Sequence, residues 1–221
     1  IGWSETPNFI GESLYFAAGF RMFTAGEAIL SIQIDSLDNK LAYLLTTTIK
    51  TNSFLSNFYK INDVIRSWIS PENLSLIKTI QTIRQGNYKR DHKSIIIGDS
   101  LAISSNNKIK LSQKVYDPIA FIYFLRSQPL AIGDRYNFIS YDATTMKKIF
   151  VDVTKKEQVS VPAGIFNCYK IEPSSNNEES LFKNNGVMRV WISDDSLHLP
   201  IKIEQNTNIG TMVMKLKQIS N

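Results

Sequence analysis

The chain carries a single cysteine, Cys168, in 221 residues. No intramolecular disulfide can form, so the usual staple of small exported domains is missing and the fold must rest on its core. Cys168 sits in the apolar run Phe166-Asn167-Cys168-Tyr169-Lys170-Ile171, where a thiol packs rather than reacts. Histidine is scarce too: His92 and His198 are far apart, and neither has a second His or Cys at ligand spacing, so no metal site is expected. The ten glycines never take the spacing of a phosphate-binding loop, and no cofactor is expected. No uncharged apolar run reaches the roughly 18 residues a membrane-spanning helix needs.

Charge of one sign is not concentrated anywhere. The formal net charge is +5, with a pI of about 9.2, but the basic residues are scattered. The densest group, Lys89-Arg90-Asp91-His92-Lys93, is interrupted by an acid and reads as a solvated strand protecting a sheet edge. Nucleic acid is therefore not an expected partner. Catalytic kits are missing as well. Ser193, Asp194, Asp195 and His198 lie too close together on a strand and turn to converge as a triad. The adjacent acids Asp194 and Asp195 point to opposite faces of an extended chain and cannot flank one glycosidic bond. They read instead as a turn.

What is present is alternation. In 27–35, Ala28, Leu30, Ile32 and Ile34 point one way while Glu27, Ser31, Gln33 and Asp35 point the other, the pattern of a half-buried strand. Similar segments occur at 14–23, 41–50, 63–69, 76–84, 88–97, 135–141, 148–153, 157–161, 166–172, 187–192, 199–204 and 211–218. Thr24-Ala25-Gly26 reads as the first hairpin turn, Lys155-Lys156-Glu157 as a solvated turn, Pro162-Ala163-Gly164 as another, and 173–185 as a polar loop. A short helical turn is expected at 51–58.

One segment breaks the period. Asp117-Pro118-Ile119-Ala120-Phe121-Ile122-Tyr123-Phe124-Leu125-Arg126 has an N-cap aspartate, proline at the first helical position and arginine in the last turn. It is apolar almost all round, so the helix belongs against or inside the sheet. The fold expected is all-β and mainly antiparallel, a curved sheet or half-barrel with one buried helix near 117–127, in one domain spanning 1–221.

Phe, Tyr and Trp make up 11% of the chain. Core filling accounts for most aromatics. The functional reading is an apolar cavity between sheet and helix, lined by Phe121, Tyr123, Phe124, Trp68 and Trp191, with Arg126 at the helix end facing a ligand anion. The competing role for Arg126 is a pair with a buried carboxylate, for which Glu27 is available.

Taken in order, Ala25-Gly26-Glu27-Ala28, Asp117-Pro118 with Tyr123 and Leu125-Arg126, Val161-Pro162-Ala163-Gly164-Ile165-Phe166, and Val190-Trp191-Ile192-Ser193-Asp194-Asp195 followed by Leu199-Pro200-Ile201 resemble a bacterial family of exported proteins of unknown function, number 3108. The resemblance runs from about Leu14 to the C-terminus. It implies a β-rich protein of the periplasm or outer envelope, with a signal peptide or lipoprotein leader missing before Ile1, and a likeness to the half-barrel of lipoprotein carriers. It transfers no catalytic residue. The expected function is non-enzymatic binding of a lipid or other amphipathic ligand, or of a partner, in the curved sheet. The alternatives are a structural subunit docking envelope proteins through loops and sheet edges, and, third, a carbohydrate-active protein.

Overall fold

In the computed structural model, residues 7–20, 23–98, 100–104, 107–142, 145–173, 188–207 and 210–220 are described. The elements, in chain order, are β1 (Ser13–Phe20), β2 (Phe23–Leu37), β3 (Lys40–Thr51), the one-turn α1 (Ser53–Ser56), β4 (Asn62–Ile69), β5 (Leu76–Gln85), β6 (Tyr88–Ile97), β7 (Leu101–Ser104) and β8 (Asn107–Lys110). They continue with β9 (Val115–Tyr116), α2 (Pro118–Arg126), β10 (Arg135–Asp142), β11 (Thr145–Val161), β12 (Gly164–Pro173), β13 (Met188–Ser193), β14 (Pro200–Thr207) and β15 (Gly210–Ser220).

All fifteen strands join one curved, non-closed sheet. From β1 the chain meanders outward to β8 at one edge, reappears as β9 at the other edge, and meanders back until β15 pairs with β1. Every pair is antiparallel except β9–β10, and α2 makes the crossover that a parallel connection requires. The two edge strands are thus consecutive in the chain, and side chains from both, Ile109 and Val115, meet in one core cluster.

Alternation explains β2: Ala28, Leu30 and Ile32 are buried, while Ile34, on the same face, emerges 60% exposed towards the β2–β3 turn. The first hairpin turn does not lie at Thr24-Ala25-Gly26. Those residues are inside β2, and a register shift between Ala18 and Gly19 accommodates them. Gly26 is needed for close approach, because a Cβ there would lie 1.9 Å from the Lys50 carbonyl oxygen on β3. Likewise Lys155-Lys156-Glu157 is no turn. One long strand runs through it, with the irregularity at Thr154, between Val153 and Lys155, bending the ladder. Pro162-Ala163 do make the turn, and the Ala163 N–H reaches the Leu216 carbonyl on β15 at 3.0 Å. The polar stretch 173–185 falls outside the described residues except at Pro173. Asp195 builds the expected turn, its Oδ1 accepting from Leu197 N (3.0 Å) and His198 N (3.1 Å).

α2 starts and stops where its local chemistry requires. Asp117 Oδ1 accepts from Ile119 N (2.8 Å) and Ala120 N (3.3 Å), Pro118 opens the first turn, and Arg126 stands in the last. A cap of this kind contributes about 1 kcal/mol. The helix is buried between two parts of the core. Phe121, Ile122 and Leu125 pack with Phe138, Val153 and the β12–β15 aliphatics. Ala120 and Tyr123 pack with Tyr43, Leu45, Ile69 and Leu76 of β3–β5. Ile119 and Phe124 touch both clusters.

Candidate functional site

The inner, helix-bearing face of the sheet differs between its two halves. Across β12–β15 it is aliphatic: Ile171, Val190, Ile203 and Met214 form one cross-strand row. Across β3–β6 it is polar. Leu45, Ser67, Thr79 and Ser94 form one row, and Thr47, Ile65, Gln81 and His92 the next. Asp63 and Arg90 lie beyond these on the same alternation. Thr47, Asp63, Ser67, Thr79, Gln81 and Ser94 are buried, whereas Ile65, Arg90 and His92 are half-buried.

Burying polar groups is costly unless they are bonded, and here they are linked in chains. Ser67 Oγ donates to Asp117 Oδ2 at 3.1 Å, tying the row to the helix cap. Ser94 Oγ bonds the Tyr141 hydroxyl at 2.8 Å and His92 Nε2 at 2.5 Å. Arg90 Nη2 donates to Gln81 Oε1 at 2.7 Å. Asp63 accepts from Arg84 N (2.8 Å) and Gln85 Nε2 (2.6 Å). The basic run 89–93 is therefore not an edge: β6 lies between β5 and β7, and Arg90 and His92 turn inward.

Burial holds the Asp63 carboxyl above the ordinary aspartate value of 3.8, and the bonds from Gln85 and Arg84 and the charges of Arg90 and Arg84 only partly offset it. A carboxyl whose pKa is raised on folding binds its proton more tightly in the native state. Stability therefore falls as pH rises from the ordinary value through the raised one, and stays lower above it. Asp63→Asn keeps an oxygen for Arg84 N, and the Gln85 amide can rotate to present its own oxygen. The variant should stay within about 1 kcal/mol of wild type at neutral pH and lose that part of the slope. Denaturant titrations across the acidic range check it; an unchanged slope would show that Asp63 is not its source.

The residues singled out from the sequence fall into three places. Phe121 stacks on Phe138 with centroids 3.7 Å apart, and Phe124 stacks on Phe121 at 5.4 Å. Tyr123 and Arg126 meet in a second cluster. The Arg126 guanidinium carbon stands 5.0 Å from the Tyr123 ring and 5.1 Å from that of Phe9. Arg126 pairs through both terminal nitrogens with Glu12 and also donates to the Leu197 carbonyl at 3.3 Å. Its carboxylate partner is therefore Glu12 rather than Glu27, which is exposed and bonds Lys217 at 3.0 Å. Sequence distance hid this pair, since Glu12 lies 114 residues from Arg126. His198 Nδ1 donates to the Arg126 carbonyl at 3.0 Å, tying the turn after β13 to the helix end. Burial and the neighbouring Glu12 charge push the Tyr123 phenol far above its usual range.

The tryptophans stand apart. Trp68 shares a cross-strand row with Leu44 and Lys78, on the face opposite Ser67. Its Nε1 donates to Asp35 at 2.8 Å, and the Lys78 ammonium lies 4.5 Å from the ring. Trp191 lies between Lys170 and Lys202, whose ammonium groups stand 5.4 and 4.2 Å from its ring, and donates to Glu157 at 2.7 Å. Cys168 is buried, and desolvation with the nearby Asp195, Glu157 and Asp194 charges pushes its thiol up to about 12, the state of an unreactive packing group. The polar inner row had a signal that composition hides: Asp63 and Ser67, Thr79 and Gln81, and Arg90, His92 and Ser94 all recur with period two.

Comparison with known proteins places the chain in a family without an assigned role. It belongs to the family described as protein of unknown function (DUF3108), which matches residues 13–217. No curated protein matches it. Among solved structures it is similar to a β-barrel-like protein of the domain of unknown function DUF1849 from Brucella abortus, with a TM-score of 0.62 and 8% identity, covering 96% of this chain and 98% of that one. A DUF1089 family protein from Pseudomonas aeruginosa is matched with a TM-score of 0.44 and 13% identity, over 82% and 90% of the two chains. No helix among the described residues is long and apolar enough to cross a membrane.

Proposed function

We propose that this protein is a non-enzymatic binding protein of the bacterial cell envelope that holds an amphipathic ligand on the inner face of β3–β6. The observation that carries the reading is the polar interior itself. Half-buried Arg90 and His92 lie on the same sheet face as half-buried Ile49 and Ile65, which would offer a cation and an imidazole to a polar or anionic group and aliphatic surface to its tail. Phe124, half-buried between the two core clusters, would extend the apolar wall. Arg126 contributes indirectly, because its guanidinium is committed to Glu12 and holds the helix in place. The envelope location is what the sequence resemblance to family 3108 implies.

The test is lipid extraction and mass spectrometry of the protein purified from a native membrane-containing lysate, followed by titration with a fluorescent fatty acid. A co-purifying amphiphile is expected, with affinity for the probe falling about tenfold in Arg90→Ala, the loss expected on removing a charge-assisted hydrogen bond. An empty protein that takes up no probe, or a variant that binds as well as wild type, would remove the inner face of β3–β6 from consideration. Fractionation of the native host, with the chain in the cytosolic fraction, would overturn the location alone.

A further inference from the structure

We propose that the joined tip of the β3–β4 connection and the β5–β6 turn is a docking surface for an anionic lipid bilayer. This surface is distinct from the inner polar face. At the tip, Phe58 is 77% exposed, Tyr88 54% and Tyr59 40%. Large rings this accessible need an explanation that a scattered aliphatic does not. The two loops form one structure. The Gly86 N–H donates to the Lys60 carbonyl at 2.8 Å, and Ile61 bridges Gln85. The Tyr59 ring lies so close over Gly86 that a Cβ there would stand 2.8 Å from its Cε2. The rings are therefore presented on a backbone-linked platform.

The charge around them has one sign. Neither 52–62 nor 85–90 contains an acid, and exposed Lys60 and Lys89 flank the rings. The carboxylates next along the chain do not oppose these lysines: Asp63 is buried, 4% accessible, and both Asp91 oxygens accept from Arg84 Nη2.

Aromatic rings at the end of a protein, ringed by lysine, match the chemistry of a lipid interface. Tyrosine and phenylalanine settle at headgroup depth while lysine meets the anionic phosphates. Three rings and two lysines are too few for a stable protein interface, which engages roughly 20–30 residues a side. They suffice for reversible membrane contact, which draws on a few inserted rings and on surface potential. The platform also shares Gln85 with Asp63, so it lies at the end of the strands that carry the polar inner row.

The test is co-sedimentation of the intact protein with vesicles of equal parts phosphatidylcholine and phosphatidylglycerol, against phosphatidylcholine alone. Binding to the mixed vesicles is expected, weakened by high salt and weak without phosphatidylglycerol. Phe58→Trp should show blue-shifted emission, relative to wild type, when those vesicles are added. Phe58→Ser should weaken binding about tenfold or more. Removing either lysine charge should weaken it about fivefold. All three positions, Phe58, Lys60 and Lys89, are exposed, so thermal unfolding should be unchanged in every variant. No binding to mixed vesicles at low salt, or binding that these substitutions leave intact, overturns the proposal. So does sensitivity to Lys60→Glu and Lys89→Glu with none to Phe58→Ser, which marks a general polyanion surface such as one for RNA. Each of these outcomes leaves Arg90 and the inner face untouched, so the two proposals fail separately.

Discussion

Arg126→Ala should destabilise the protein by about 3–5 kcal/mol, because it strands a buried carboxylate. The side chains of Arg126 and Glu12 are only 2% and 6% accessible. Their mutual attraction offsets the cost of taking both out of water; removing one leaves that cost uncompensated for the other. Glu12→Ala should lose a similar amount, with the guanidinium stranded between Phe9 and Tyr123. The effects must not add. A double variant, Glu12→Leu with Arg126→Met, buries no charge and should recover much of the loss. Thermal unfolding reads all three, at about 2–4 °C per kcal/mol for a chain of this size. A single-variant cost below about 1 kcal/mol would mean that water reaches the pair.

Phe121→Ala is expected to cost a comparable 3–5 kcal/mol through a cavity the core cannot close. The ring is 3% exposed and lies between Phe138 and Phe124 in one stack, with Tyr116 edge-on at 5.9 Å. Its neighbours come from β9, β10 and α2, so relaxation would have to move a crossover connection. Against a total stability of roughly 5–15 kcal/mol, such a loss threatens folding itself. Phe121→Leu should cost distinctly less, since most of the volume stays. Chemical denaturation decides the matter. If Phe121→Ala proves nearly neutral, the ring borders open space, and an apolar cavity lies between the sheet and the helix.

These two positions show how differently the sequence speaks about a residue's place and its partners. Both were legible as members of one helix, because capping by Asp117, the fixed proline φ and the apolar run are properties of neighbours in the chain. The partner of Arg126 was not, for Glu27 and Glu12 are both glutamates near an early strand and only the packed core separates them. The inner polar row was hidden for a related reason. Arg90 and His92 sit in a charged run that looks solvated until β7 pairs beyond β6 and turns an apparent edge into sheet interior.

By itself the sequence determined the all-β antiparallel class, most strand positions, the Pro162-Ala163 and Asp194-Asp195 turns, and α2 with both its ends, because period-two burial, caps and turn chemistry act over a few residues. The tertiary structure alone decided what faces what. It threaded 155–157 through one bent strand, sent Trp68 to the face away from the helix, joined Glu12 to Arg126, and brought Phe58 and Tyr88 to one tip. Those outcomes depend on strand order, register and curvature, and such long-range pairings are set only when the whole sheet curves around its helix.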